Sequence, residues 1–309
     1  MTGTTGEQAA RIEAAAAELK GLALRDEPIG PKTTYRTGGA AALYVEISGP
    51  AALEAVARAV ATSGVAVLAL GRGSNLLVAD SGFAGLCVAL AGDYAGLELR
   101  DDGLARAGAG VDYPVLARRS AVAGWTGMEW AVGIPGSVGG AVAMNAGGHG
   151  AETKDRLVGA LVVDLRTGEA AEWSSSALAF SYRHSALHAH HLVLSATYQL
   201  AAGDPERAAG AISEIVAWRR AHQPGGRNAG STFSNPPGDS AGRLIEAAGL
   251  KGLRVGSAQV SEKHANFVQS DTNGSADDVF RLISEVRRLV LERLGVELSL
   301  ELRTVGEFR

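Results

Sequence analysis

The sequence predicts an α+β protein with a large glycine-rich region followed by a C-terminal domain. Two observations point there: short apolar runs alternate with turns as far as residue 200, and longer helices fill the last third. A third is the clustering of the 41 glycines into a few loops, where a backbone can approach a ligand closely. Residues 7–20 form an alanine-rich helix, and Gly30-Pro31 breaks the chain after it. Strands are expected at 42–47, 65–70, 86–90, 161–165 and 192–200, with shorter helices at 51–63 and 114–123. The turn Arg166-Thr167-Gly168-Glu169 separates two runs and predicts a hairpin. Asp204-Pro205 opens a helix reaching Arg220, because proline suits the first helical position. A Gly/Ser/Asn/Pro-rich loop follows at 224–239. The final helix begins at a capping box of Ser275 and Asp278 and stops at Gly295. Val279, Leu282, Ile283, Val286 and Val290 share one of its faces. A strand at 298–304 closes the chain.

Composition narrows the function classes. Of 309 residues, 46% are hydrophobic and 20% charged, and the net charge of −4 comes without a basic block. A nucleic-acid partner is therefore disfavoured. The single cysteine, Cys87, rules out an intramolecular disulfide and a cysteine-built zinc site, and its apolar neighbours make it a core residue. Glu7, Arg11, Glu13 and Glu18 interrupt the first helix, so it does not read as a signal peptide. No run of about 18 apolar residues suggests a membrane span. The expected compartment is the cytoplasm.

Two loops suit a dinucleotide. Gly71-Arg72-Gly73-Ser74-Asn75-Leu76-Leu77 follows a strand, and successive N–H groups in such a turn form a concave site for phosphate oxygens. Leu76 stands where a Rossmann fingerprint needs its third glycine, and no Gly-Lys-Ser/Thr makes it a P-loop. The residues alone fit an ordinary tight turn equally well. The second loop runs from Gly133, Ile134, Pro135, Gly136 and Ser137 through Gly139, Gly140 and Ala141 to Asn145, Gly147 and Gly148. So many glycines cost backbone entropy, which makes structural filler an uneconomical explanation. Gly139 and Gly140 are expected to open a helix whose N–H groups face an anion. Close packing of two elements is the alternative.

These loops, with Met144-Asn145-Ala146-Gly147 and Thr34-Tyr35-Arg36-Thr37-Gly38-Gly39, resemble the FAD-binding region of UDP-N-acetylenolpyruvoylglucosamine reductases. The likeness runs from about residue 30 to the C-terminus, and the absence of a long insertion resembles the shorter of two subtypes. It implies a PCMH-type FAD-binding fold, shared with vanillyl-alcohol oxidase, made of two α+β subdomains. The implied division is an N-terminal segment at 1–29, an FAD domain at 30–203 split near 100, and an α+β substrate domain at 204–309. It also implies non-covalent FAD and NADPH as co-substrate, which passes a hydride to FAD and thence to an enolpyruvyl double bond.

Three further stretches resemble the family's active-site motifs. Ser181-Tyr182-Arg183 implies that Arg183 polarises the substrate carboxylate, a task suited to a permanently charged, forked guanidinium. Gly230-Ser231-Thr232-Phe233-Ser234-Asn235-Pro236 implies Ser231 as proton donor, since even a weakly acidic hydroxyl can protonate an enolate in a shielded site. Leu298-Ser299-Leu300-Glu301-Leu302-Arg303 implies Glu301 as the third catalytic residue and places Arg303 near flavin or substrate. Tyr182, Gly230, Asn235 and Lys263 are the implied substrate-binding residues, Lys263 within the family-like run Lys263-His264-Ala265-Asn266-Phe267. Ser234 replaces a common lysine or arginine, and His149 a frequent tyrosine. Another flavin oxidase, or a non-catalytic flavin module, would share the two loops but not Arg183, Ser231 and Glu301 in these contexts.

His184, His188, His190 and His191 raise a metal site as an alternative. Adjacent His190 and His191 would face opposite ways if extended, so a solvated loop is expected and no metal.

Overall fold

The computed structural model describes residues 5–309. Packing groups the chain into two units that cut across its linear order. The first holds Met1–Arg25, Ala42–Arg72 and Ala84–Arg219; the second holds Asp26–Ala41, Gly73–Phe83 and Arg220–Arg309. The chain thus changes unit at 25/26, 41/42, 72/73, 83/84 and 219/220.

The first unit is organised by two sheets. Strands Ala40–Ile47, Phe83–Leu90 and Val67–Ala69 lie side by side, the last two parallel with Leu68 opposite Cys87. The helix Pro50–Ser63 connects Ala40–Ile47 to Val67–Ala69; proline opens it and Gly64, at φ 63°, ends it in the left-handed conformation that costs glycine least. Cys87 is fully buried in its strand, as its neighbours imply. The second sheet is antiparallel and ordered Ala170–Ser174, Leu157–Asp164, His191–Gln199, Leu104–Gly108, Leu97–Leu99. The hairpin at residues 166–169 joins its first two strands, with Asp164 Oδ1 accepting from the Arg166 N–H at 2.8 Å. One core gathers Tyr113, Leu116, Met128, Val138 and Tyr198 beneath this sheet; another gathers Leu19, Val45, Val56 and Leu86.

The second unit is built on the helix Ala276–Leu294, whose Val279, Leu282, Ile283, Val286 and Val290 are all at most 1% exposed. Each such side chain contributes about 1.5–3 kcal/mol by leaving water. The helix covers a three-stranded antiparallel sheet, Arg254–Val255, Ala258–Val260 and Val268–Ser270. Only half of the expected capping box forms. Ser275 Oγ accepts from the Asp278 N–H at 3.1 Å, but the Asp278 carboxylate turns to Ser257, accepting from its N–H at 2.7 Å and its hydroxyl at 2.8 Å. A second carboxylate, Asp80, accepts from the N–H groups of Ala276 at 3.0 Å and Asp277 at 3.2 Å. It suits the helix electrostatically and ties the segment Gly73–Phe83 to it.

The strand expected at 298–304 is reduced to Arg303–Val305, parallel to Leu76–Val78. The preceding residues cannot extend the ladder because the N–H groups of Glu301 and Leu302 share one acceptor, Thr232 O, at 3.0 and 3.2 Å. Among the described residues, no helix is long and apolar enough to cross a membrane.

Candidate active site

The candidate residues form two groups, one in each unit. In the second unit the chain 230–235 lies between two other segments. Asn266, 3% exposed, accepts at Oδ1 from the Phe233 N–H (2.9 Å) and donates from Nδ2 to Phe233 O (2.8 Å), while its carbonyl accepts from the Thr232 N–H at 2.8 Å. On the opposite side the Ser234 N–H donates to Ser299 O at 2.9 Å, and Phe233 bridges Leu300. With the two bonds to Thr232 O, this clamp holds the backbone of Glu301 beside the residue next to Ser231. Ser231 and Glu301, 70 positions apart, are thereby brought into one local arrangement. Both side chains are partly buried.

Asn75 locks the same arrangement from below: its Nδ2 donates to Glu301 O at 3.0 Å, and its carbonyl accepts from the Arg303 N–H at 3.2 Å. Leu76, 7% exposed, is then a core strand residue paired with Arg303, whose own side chain is exposed. Gly73 has φ 60°, and a Cβ there would come within 2.6 Å of Thr33 Cα. Glycine is required on both counts. Gly230, at φ 75°, has open space around it. Asn235 Oδ1 accepts from the Ala241 N–H at 3.1 Å, and Lys263 Nζ donates to Arg220 O at 2.6 Å. Each keeps further donors for a ligand.

In the first unit Gly71 lies against Ser137 so tightly that a Cβ would collide with its Oγ. The backbone N–H groups of residues 71 and 72 of this unit, and of residues 73–75 of the second, find no acceptor among the described residues, with Gly73 buried and Ser74 partly buried. Such a run of donors fits the phosphates of a dinucleotide.

The second loop differs from expectation. Helix Val138–Ala143 does form, capped by Ser137 Oγ accepting from the Gly140 N–H at 3.3 Å. Its N–H groups do not face an anion: Val138 donates to Val111 O, Gly139 to Ala109 O and Ala141 to Ser137 O, at 2.8–2.9 Å. Gly139 is needed for packing, since a Cβ would lie 2.9 Å from Ala109 Cβ, and Ala141 is 2% exposed. The cofactor role expected of Gly139, Gly140 and Ala141 through their N–H groups is therefore withdrawn. Gly133, Ile134, Pro135 and Gly136 form the approach to this helix. Gly136 donates to Ile134 O at 2.8 Å, and Pro135 is exposed. His149, in the left-handed region at φ 53°, stands with its ring edge to Trp218 at 5.2 Å and close to Gly133. Burial, then the nearby Arg219, pushes its pKa down.

Arg183 occupies a left-handed turn at φ 55°, its guanidinium 4.9 Å from the half-exposed Tyr182 ring and its Nη2 donating to Gly147 O at 3.0 Å. Asn145, expected to touch the cofactor, is instead 0% exposed and committed inside the protein. Its Nδ2 donates to Glu152 Oε2 and Ser181 O, and its Oδ1 accepts from the Lys154 N–H.

The histidines are not opposed. His190 precedes the strand in a turn, and its ring centroid lies 4.3 Å from that of His191; their Nε2 atoms lie 3.7 and 3.9 Å from Asp164 Oδ2. Asp164, His190 and His191 offer ligand atoms within 4.8 Å of one another, a grouping that could hold a metal ion, and two other contacts compete with one. Asp164 is already paired with Arg166, and the His188 N–H donates to His191 Nδ1 at 3.1 Å. The neutral His191 ring then carries its proton on Nε2, the nitrogen a metal would need bare.

Residues 222–305 match the family of UDP-N-acetylenolpyruvoylglucosamine reductase C-terminal domains, and residues 41–174 match the FAD binding domain. UDP-N-acetylenolpyruvoylglucosamine reductase from Rubrobacter xylanophilus is 46% identical over 91% of this chain and 95% of its own length. The enzyme of the same name from Acidiphilium cryptum is 44% identical over 95% and 94%. The crystal structure of UDP-N-acetylenolpyruvylglucosamine reductase from Thermus caldophilus superimposes with a TM-score of 0.79 at 35% identity, covering 90% of this chain and 97% of that one.

Proposed function

We propose, since the chain belongs to the UDP-N-acetylenolpyruvoylglucosamine reductase family, that it reduces UDP-N-acetylenolpyruvoylglucosamine to UDP-N-acetylmuramate with NADPH in cytoplasmic peptidoglycan precursor synthesis. The observation that carries this function is the 46% identity to such a reductase across 91% of the chain. FAD, when bound, carries the hydride from NADPH to the substrate.

The chain's own residues handle charge and the proton. Hydride delivery to the enolpyruvyl double bond leaves negative charge spread towards the neighbouring carboxylate. Arg183 meets that charge with a fixed guanidinium, a stabilisation that strengthens as the charge develops. The Ser231 hydroxyl gives its proton to the adjacent carbon, which completes the addition of H⁻ and H⁺ across the bond. Glu301, tethered through its backbone to Thr232 O, orients or assists that donation. The N–H groups of residues 71–75 would hold the cofactor phosphates, and Gly133, Ile134, Pro135, Gly136 and Ser137 would contribute to the cofactor site. Tyr182, Gly230, Asn235 and Lys263 bind the substrate.

Ser231→Ala tests the assignment by separating the half-reactions in anaerobic stopped flow. NADPH should still bleach the flavin at an unchanged rate, while reoxidation by the enolpyruvyl substrate slows by about a hundredfold or more. Equal loss in both halves, with FAD still bound, refutes the proton-donor role.

A further inference from the structure

We propose that Asn145 is a positioning residue that holds the turn carrying Arg183. The inference rests on the role given to Arg183 above. Asn145 lies in the left-handed region at φ 41°, which asparagine tolerates better than most side chains. It is 0% exposed, and both its N–H groups are spent on protein: Nδ2 donates to Ser181 O at 3.0 Å and to Glu152 Oε2 at 3.1 Å. Its Oδ1 accepts from the Lys154 N–H at 3.1 Å. One side chain therefore links three separate segments, and no N–H remains to donate to a cofactor.

The link to Arg183 is local. Ser181 O, the acceptor for Asn145, belongs to a turn closed by reciprocal bonds between Ser181 and His184 at 3.1 and 3.2 Å. Arg183 sits inside that turn at φ 55°, a conformation that relaxes unless its surroundings hold it. Its far end is pinned by Ser185 Oγ donating to Ala143 O at 2.8 Å, and Arg183 Nη2 itself donates to Gly147 O at 3.0 Å. The segment 143–147 thus grips the turn 181–185 at three points, with Asn145 in the middle. Gly147 makes room for this grip, since a Cβ there would lie 2.8 Å from Ala151 O and 3.2 Å from Arg183 Nη1. Glu152, the other acceptor, is steadied by Lys154 Nζ at 2.8 Å and by its own N–H donating to Asp155 Oδ2 at 2.8 Å. The arrangement is a rigid frame around the guanidinium.

The test uses the FAD-loaded enzyme. Asn145→Gly keeps the left-handed backbone without strain and removes the side chain; Asn145→Asp keeps the acceptor for Lys154 and removes the donors, and it decides the matter should the glycine variant not fold. The expected result is unchanged FAD content and absorption spectrum, unchanged flavin reduction by NADPH, and reoxidation by the enolpyruvyl substrate slowed by about tenfold to a hundredfold. Added to Arg183→Ala, either variant should cause no further slowing, because it acts through a group already removed. Loss of FAD, equal slowing of both half-reactions, or additive slowing in the double variant would overturn the proposal. An impaired Arg183→Ala beside an unimpaired Asn145 variant overturns the positioning role alone. A wild-type rate in Arg183→Ala removes the assigned role of Arg183, and the proposal with it.

Discussion

Thr232 O, a single carbonyl oxygen, accepts from both Glu301 and Leu302, and the residue before it is Ser231. The nearness of the Glu301 backbone to the residue after Ser231 is thus a matter of main-chain bonds, which side-chain motifs do not reveal. Ser231, Glu301 and Arg183 could be named as candidates because each sits in a motif with distinctive neighbours. Thr232 and Asn266 were not assigned roles, since Thr232 works through its backbone and Asn266 through amide bonds to the backbone of Phe233, which no sequence spacing marks. Asn145 was read as a cofactor residue from its motif; its burial, and hence its commitment to protein partners, depends on segments up to 36 residues away. Gly73 is the residue-scale case where sequence and structure agree for one physical reason. Gly73→Ala forces a Cβ against Thr33 at φ 60° and is expected to cost about 1–3 kcal/mol. Because residue 73 lies within the run of free N–H donors, flavin-fluorescence titration should show weaker FAD binding alongside a lower melting temperature.

Helices and long strands followed their sequence signals closely. The last long helix begins, ends and faces as its apolar spacing requires. The strand expected at 298–304 failed because β-propensity does not record that two neighbouring N–H groups compete for one acceptor. The helix at 138–143 formed where glycines suggested it, yet its N–H groups turned inward to neighbouring carbonyls. The capping pattern Ser275/Asp278 was half right for a related reason: Asp278 found a better donor in Ser257. That bond has a pH signature. The Ser257 N–H, then its hydroxyl and the Arg281 guanidinium, hold the Asp278 carboxyl below its ordinary 3.8. A depressed folded-state pKa contributes stability above the ordinary value that is lost as pH falls through the lowered one. Asp278→Asn should therefore destabilise the protein by about 1–3 kcal/mol near neutral pH. The difference between the melting curves of the two proteins should begin to shrink as pH falls below about 3.8 and vanish only below the lowered pKa.

For the whole molecule, the α+β class and the flavin-binding region were legible, because glycine clusters and apolar spacing are local properties. The membership of segments 26–41 and 73–83 in the unit containing the C-terminus was not, since it arises from contacts such as Leu76 with Arg303 and Asp80 with Ala276. The loop 71–76 leaves one unit and enters the other at Arg72–Gly73. The central claim is that this FAD-binding chain turns NADPH oxidation into reduction of an enolpyruvyl ether. The direct measurement is anaerobic NADPH oxidation by the purified, FAD-loaded protein, with the sugar nucleotide followed by mass spectrometry. Oxidation is expected to depend on UDP-N-acetylenolpyruvoylglucosamine, each NADPH consumed giving one UDP-N-acetylmuramate. NADPH oxidation indifferent to that substrate, or a substrate left unreduced beside a fully reduced flavin, would contradict it.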